Sequence, residues 1–186
     1  MICKGRLLHY FPCQTFKQQN NENSDTHFSS WCGWHNDHGS LTGLLPGMYL
    51  NKKGEKVLCT DDNAGLYIKS RGGQTIQLQL PSNPNCALFQ IGETTQIHSG
   101  GILQATPHAV RASANMEDVS RESFAVFMEP EYHGNMNLPD GKILSDVQDE
   151  KKACTHFPKS VKILSSRFKP GMNFGQFHEA TINSFH

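Results

Sequence analysis

Apolar residues along this chain come in short runs, and the clearest of them alternates with polar neighbours. Gln74-Thr-Ile-Gln-Leu-Gln-Leu80 places Ile76, Leu78 and Leu80 on one face of an extended segment, the period-two pattern of a half-buried strand. Short segments of similar character recur at regular intervals, over residues 6–11, 56–60, 65–69, 87–91, 101–105 and 123–129, with a further element across 31–45. Asp61-Asp-Asn-Ala-Gly65, Arg71-Gly-Gly73 and Pro81-Ser-Asn-Pro84 carry the residue types that tight turns require, and the polar stretch 20–30 reads as a loop. Many short strands separated by turns predict an all-β sandwich or barrel. The pattern changes after Pro130. Residues 140–153 are charged and predict a short helix, while Asn173, with Gln176 three positions on, predicts the cap of a terminal helix whose Phe174, Phe177, Thr181, Ile182 and Phe185 fall near one face.

Composition narrows the class. The chain has 186 residues, of which 37% are hydrophobic and 18% charged, and its 17 basic residues balance 17 acidic ones. That is one domain's length with a modest core, and a neutral surface offers no electrostatic footprint for nucleic acid. The longest uninterrupted apolar run, Phe124-Ala-Val-Phe-Met128, is far short of the ~18 residues of a membrane helix, so no membrane association is expected. Six scattered cysteines without a Cys-x-x-Cys pair, and an amino terminus without a signal-peptide pattern, fit reduced thiols in the cytoplasm. Oligomeric state leaves no signature.

Candidate chemistry centres on Trp34-His-Asn-Asp-His-Gly-Ser-Leu-Thr42. At a strand or strand end, His35 and Asp37 point the same way and present an imidazole and a carboxylate to one point. His108, in Thr106-Pro-His-Ala-Val110, lies far enough along for several strands to return it to that point. Two histidines and one carboxylate on one face of a metal form the facial triad of non-haem Fe(II) oxygenases. Alone, His-x-Asp reads first as a structural feature such as an Asp-capped turn, and context is what turns it toward a metal. Arg121 and Ser123 share a face at the start of an apolar strand, where a buried guanidinium needs an anion. Either a dicarboxylate ligand or an internal glutamate, Glu93 or Glu129, satisfies that need. Cys32-x-x-His35 lacks a second pair for zinc, His38 and His98 read as neighbours of the site rather than ligands, and Trp31, Trp34 and Phe11 are aromatic candidates for walling it or for filling the core.

In order along the chain, Arg6-Leu-Leu-His-Tyr-Phe-Pro12, His35-Asn-Asp-His-Gly-Ser-Leu-Thr42, Gln90-Ile-Gly-Glu93, Thr106-Pro-His108 and Arg121-Glu-Ser123 resemble the blocks of the iron(II)- and 2-oxoglutarate-dependent oxygenases, isopenicillin N synthase-like branch. The resemblance implies a double-stranded β-helix, or jelly roll, over residues 1–130, followed by an extension over 131–186 ending in a helix. It implies His35, Asp37 and His108 as ligands of Fe(II), and Arg121 with Ser123 as the holders of 2-oxoglutarate. It further implies O2 as co-reactant, decarboxylation of 2-oxoglutarate to succinate, and oxidation of a small-molecule substrate. Three departures accompany it. Phe11 stands where many members carry a tyrosine before the proline, with Tyr10 expected on the opposite face. The stretch 46–86 is longer than the usual connection, and the helical region that precedes the opening strand in the family is absent, as in a fragment or a minimal form. A non-catalytic jelly-roll binding module and an Fe(II) oxidase that works without 2-oxoglutarate are the rival readings.

Overall fold

A computed structural model describes residues 1–13, 31–79, 85–116, 118–148 and 156–185. The predicted loop at 20–30 and the turn Pro81-Ser-Asn-Pro84 lie outside them. In chain order the strands are β1 (Ile2–Tyr10), β2 (Cys32–His35), β3 (Leu41–Leu44), β4 (Met48–Leu50), β5 (Lys56–Val57), β6 (Gly65–Lys69), β7 (Thr75–Gln77), β8 (Leu88–Ile91), β9 (His108–Arg111) and β10 (Ser120–Glu129). Helices α1 (Glu93–His98), α2 (Leu144–Val147) and α3 (Phe174–Asn183) complete the description, with one 3-10 turn at Leu164–Ser166.

The strands form two antiparallel sheets, a jelly-roll core that is not closed into a barrel. The larger is built around β10, whose apolar centre gives it the length to serve several partners. Along one side it pairs with all of β1, from Ile2 opposite Glu129 to Tyr10 opposite Arg121. Along the other side β3 and β4 share it end to end, with β8 beyond β3 and β5 beyond β4. Leu44 lies opposite Ala125 and Met48 opposite Glu122, so one extra residue is taken up across Leu45-Pro46-Gly47. Proline cannot donate to a ladder, and the break falls where it stands. The smaller sheet runs β2-β9-β6-β7.

The predicted strands at 56–60 and 74–80 are shorter, over the described residues, than their apolar patterns suggest, and the element predicted across 31–45 is the two strands β2 and β3. The strand predicted over 101–105 is instead a turn, because Gly100 and Gly101 take φ of 62° and 82°, which reverse the chain. The helix predicted over 140–153 is seen as the single turn α2, with residues 149–153 outside the described set. The terminal helix is α3, capped as expected: Asn173 accepts from the Gln176 amide and the Gln176 side chain returns to the Asn173 amide. Phe174, Phe177 and Thr181 are buried, while Ile182 and Phe185 are exposed.

The largest core cluster lies where residues 131–148 and 156–185 pack over α1. Met136, Val147, Leu164, Phe168, Phe174 and Phe177 surround Ile97. A second cluster joins Trp34, Tyr67 and Ala109 on the outer side of the small sheet, capped by Val161. Carboxy-terminal residues therefore supply much of the apolar packing that holds β2, β9 and α1 in place.

Candidate active site

Two local irregularities bring His35, Asp37 and His108 together. Across β2 and β9, Cys32 faces Val110 and His35 faces His108, so β2 contains one extra residue. This bulge lets Trp34 turn outward into its cluster while His35 turns inward beside His108. Asp37 lies just past the strand end, not on it as the period-two argument had it. The loop that carries it is fastened to the start of α1, where the amides of Gly92, Glu93 and Thr94 donate to the carbonyls of Ser40, Asp37 and Gly39 at 3.0, 2.8 and 3.1 Å. The Thr94 hydroxyl donates to the His38 carbonyl at 2.7 Å.

The ligand atoms of the three residues all lie within 4.8 Å of one another. Asp37 Oδ1 is 3.9 Å from His35 Nε2 and 3.8 Å from His108 Nε2. Asp37 Oδ2 is occupied, accepting from the Thr42 hydroxyl at 2.7 Å, which leaves Oδ1 to face the imidazoles. His35 Nδ1 lies 2.7 Å from the Gly33 carbonyl and His108 Nδ1 lies 3.3 Å from that of Thr106. A carbonyl only accepts, so each ring donates from Nδ1 and turns Nε2 toward Asp37. Two imidazole nitrogens and one carboxylate oxygen, each oriented by a partner, are a donor set that fits a divalent transition metal with positions left open.

Electrostatics agree with a cation-seeking cluster. Burial works against charge on His35, yet the Cys32 sulfur, the Gly33 carbonyl and the Asp37 carboxylate raise its pKa to about 9. Burial and the charge on His35 push His108 down to about 4. The Asp37 carboxylate favours positive charge on both rings, the charge that a bound divalent cation would supply.

Arg121 occupies the same face of the large sheet as Thr42. It is 4% exposed, its Nε has no hydrogen-bond partner, and no carboxylate among the described residues pairs with it. The internal glutamates considered for it are engaged elsewhere: Glu93 takes Arg167 in a two-pronged pair at 2.7 and 2.8 Å, and Glu129 takes Lys4 at 2.6 Å. Room for the guanidinium is made at Gly47, where a Cβ would fall 2.4 Å from Arg121 Nε. Tyr10, directly opposite Arg121 on β1, lies on the guanidinium side, with Arg121 Cζ 5.4 Å from its ring centroid. This corrects the expectation that Tyr10 faces away. Phe11, beyond the strand end, is 74% exposed.

Of the aromatic candidates, Trp31 alone is near the guanidinium, with its ring centroid 6.1 Å from those of Tyr10 and Tyr49. Trp34 is core and Phe11 is surface. His38 Nε2 meets His178 Nδ1 at 2.8 Å over Phe174, and burial pushes its pKa down to about 4. His98 Nε2 lies 3.2 Å from the Asn135 carbonyl, away from the triad. Cys32 Sγ is 3.8 Å from His35 Nδ1, on the side of the ring away from Asp37, and no second cysteine joins it among the described residues. Sequence reasoning quoted Thr42 without a role. It missed Tyr49 and the Glu93–Arg167 pair, whose partners are 74 residues apart with no spacing rule between them.

No family model matches the chain. Jasmonate-induced oxygenase 4 of Arabidopsis thaliana is 32% identical over 109 residues, which are 59% of this chain and 24% of that protein. The 2-oxoglutarate-dependent dioxygenase frbH of Dothideomycetidae sp. (strain 11243) is 27% identical over 63% of this chain and 32% of its own length. The chain thus spans a quarter to a third of these relatives. The crystal structure of a full-length Neurospora crassa protein in complex with alpha-KG superposes with a TM-score of 0.60 at 22% identity, covering 98% of this chain and 44% of that one. A 2OG-Fe(II) oxygenase family protein from Caulobacter crescentus gives 0.58 at 18% identity, covering 98% and 46%. The two solved structures share the fold and the two relatives share sequence over about three fifths of the chain, so the chain is similar in both respects to 2-oxoglutarate-dependent oxygenases.

Proposed function

We propose that this chain carries the catalytic core of an Fe(II)- and 2-oxoglutarate-dependent oxygenase that hydroxylates or otherwise oxidises a small organic substrate, with 2-oxoglutarate converted to succinate. The observation that carries the reading is the buried Arg121, unmatched by any carboxylate among the described residues and on the sheet face that also holds Thr42 against Asp37. An unpaired guanidinium in a protein interior is expensive, and a ligand carboxylate resolves that cost. His35, Asp37 and His108 would hold the iron, Arg121 and Ser123 the distal carboxylate, and Tyr10 would complete that end of the site. When bound, iron supplies the activation of O2 that protein side chains cannot.

The chain's own residues do the placing. Thr42 and the carbonyls of Gly33 and Thr106 fix which atoms of the triad are presented. The α1 amides hold the loop that carries Asp37, and Cys32, a neighbour of both His35 and Tyr10, links the triad to the guanidinium end. Tyr10 removes the reason to favour an oxidase that works without 2-oxoglutarate, because the phenol missing at Phe11 is present one residue earlier. The relatives' names, an oxygenase and a 2-oxoglutarate-dependent dioxygenase, support the same class. Within it we favour the isopenicillin N synthase-like branch on the order of the sequence blocks. We further propose that residues 1–130 supply the site and that 131–186 brace it, and that the protein works in the cytoplasm; Cys3, Cys32, Cys59 and Cys86 are free thiols, and no helix among the described residues is long and apolar enough to cross a membrane.

The test is turnover of 2-oxoglutarate by purified protein with Fe(II), ascorbate and O2, followed as succinate. Iron-dependent succinate release that His108→Ala abolishes supports the proposal. Protein that binds iron and 2-oxoglutarate yet releases no succinate with any of a broad panel of small molecules would favour the binding-module reading.

A further inference from the structure

Arg121 is flanked by a tyrosine on each side. Tyr10 of β1 and Tyr49 of β4 are both its direct cross-strand partners, so the pleat puts all three side chains on one face. Tyr49 faces Arg121 across the strand pair, and burial pushes its phenol up to about 12, with the Cys59 thiol raising it and the Arg121 guanidinium opposing the shift. Trp31 stands over the two phenols, equidistant from their rings, and is itself held by a 2.8 Å hydrogen bond from its Nε1 to the Phe11 carbonyl. Three aromatic rings therefore wall a buried cation that has no carboxylate partner among the described residues. Tyr49 and Cys59 both come from the 46–86 stretch, which is longer than the usual connection.

The hydrogen-bond arithmetic gives Tyr49 a specific part. A guanidinium only donates, so a phenol beside Arg121 can offer it only the oxygen and turns its own proton elsewhere. Its present neighbour is the Cys59 sulfur, a weak acceptor; a carboxylate held by Arg121 is a much stronger one. The register leaves little slack. β4 is pressed against β10 by the absence of a side chain at Gly47, so Tyr49 sits at a fixed depth behind the guanidinium. A phenol at fixed depth, with Trp31 across the end, limits how far a dicarboxylate can extend past Arg121.

We propose that Tyr49 is a cosubstrate-binding and length-selecting residue, donating to the distal carboxylate of a five-carbon 2-oxo dicarboxylate and setting, with Trp31, the closed end of its pocket. This rests on the 2-oxoglutarate reading above. It assigns the inserted segment to cosubstrate choice rather than to the prime substrate.

The experiment is a pair of anaerobic titrations, of 2-oxoglutarate and of the one-carbon-longer 2-oxoadipate, into protein preloaded with Fe(II), for wild type, Tyr49→Phe and Tyr49→Ala. Tyr49→Phe removes one oxygen from a half-buried ring and should weaken 2-oxoglutarate about tenfold, the usual effect of losing one hydrogen bond to a charged group, with Fe(II) affinity unchanged. Tyr49→Ala should open the pocket and narrow the preference for 2-oxoglutarate over 2-oxoadipate. Should Tyr49→Phe fail to fold, the Tyr49→Ala ratio and Cys59→Ala, which releases the phenol from its thiol neighbour and should leave 2-oxoglutarate bound at least as tightly, carry the test. Wild-type affinities in both Tyr49 variants, with an unchanged ratio, would overturn the inference alone. A wild type that binds iron but neither keto acid would instead overturn the cosubstrate reading beneath it.

Discussion

Arg167 and Glu93 form a two-pronged ion pair buried from solvent on both sides, with side chains 4% and 2% exposed and N–O distances of 2.7 and 2.8 Å. Glu93 opens α1, its amide donates to the Asp37 carbonyl, and its carboxylate also accepts from Asn36 at 3.1 Å. Arg167 adds bonds to Thr181 and the Lys162 carbonyl. The pair thus ties the carboxy-terminal segment to the two residues that flank and include a proposed metal ligand. Removing one partner of such a pair strands a buried charge, so Arg167→Met should cost about 3–5 kcal/mol of stability in urea denaturation. The double variant Arg167→Met/Glu93→Gln should recover part of that loss. Equal losses in single and double variants would show that the pair is not the origin.

Thr42 should matter to metal binding more than to folding. Its hydroxyl holds the Asp37 oxygen that faces away from the imidazoles. Thr42→Val keeps the volume and frees the carboxylate to rotate, and partners of this kind usually contribute about 10–100-fold in metal affinity. Calorimetric titration of Fe(II) or Mn(II) under argon should show that loss with an unchanged far-ultraviolet spectrum. Unchanged affinity would mean that the Asp37 orientation is fixed by the loop alone.

How much of this was legible beforehand varies by residue. His35, Asp37, His108, Arg121 and Ser123 were visible because each is a chemically distinctive side chain at a strand end or in a short motif. Tyr10 was visible but given the wrong face, since its position was counted back from Pro12, whereas its orientation is set by the pairing of β1 with β10 opposite Arg121. Tyr49 and Arg167 were not legible. Each takes its place through a register or a docking that only the folded chain defines, and neither lies in a run with a telling pattern. Strand boundaries failed for a similar reason: alternation in 74–80 describes which faces are apolar, not how far a partner strand extends.

Gly47 should be intolerant of any side chain. A Cβ there would come within 2.4 Å of Arg121 Nε and 2.7 Å of its Cζ. Gly47→Ala should therefore displace the guanidinium and weaken 2-oxoglutarate binding while Fe(II) binding, which depends on the other end of the site, is retained. Parallel loss of iron affinity would argue that the two ends are not separable.

Asp61 gives a pH dependence unconnected with the site. Burial alone would raise its pKa, but the amides of Ala114 and Asn63, at 2.7 and 2.9 Å, with Ser113 and Arg111, hold it below the ordinary 3.8. A carboxyl with a lowered folded-state pKa stabilises the fold above its unfolded value, and that contribution disappears as pH falls through the folded value. Asp61→Asn should lower stability by about 1–3 kcal/mol at pH 7. In urea melts repeated toward pH 3 the gap from wild type should shrink; a constant gap would assign the effect to packing.

The central claim is that the triad and Arg121 are the two ends of one site. Anaerobic addition of Fe(II) and then 2-oxoglutarate should give the visible charge-transfer band of a keto acid chelated to iron. In Arg121→Met, iron should still bind while the band requires much higher 2-oxoglutarate, in keeping with the roughly 2–5 kcal/mol lost when one partner of a buried charge pair is truncated. A band of equal intensity and equal 2-oxoglutarate dependence in both proteins would contradict the account, as would a wild type that binds iron and never develops the band.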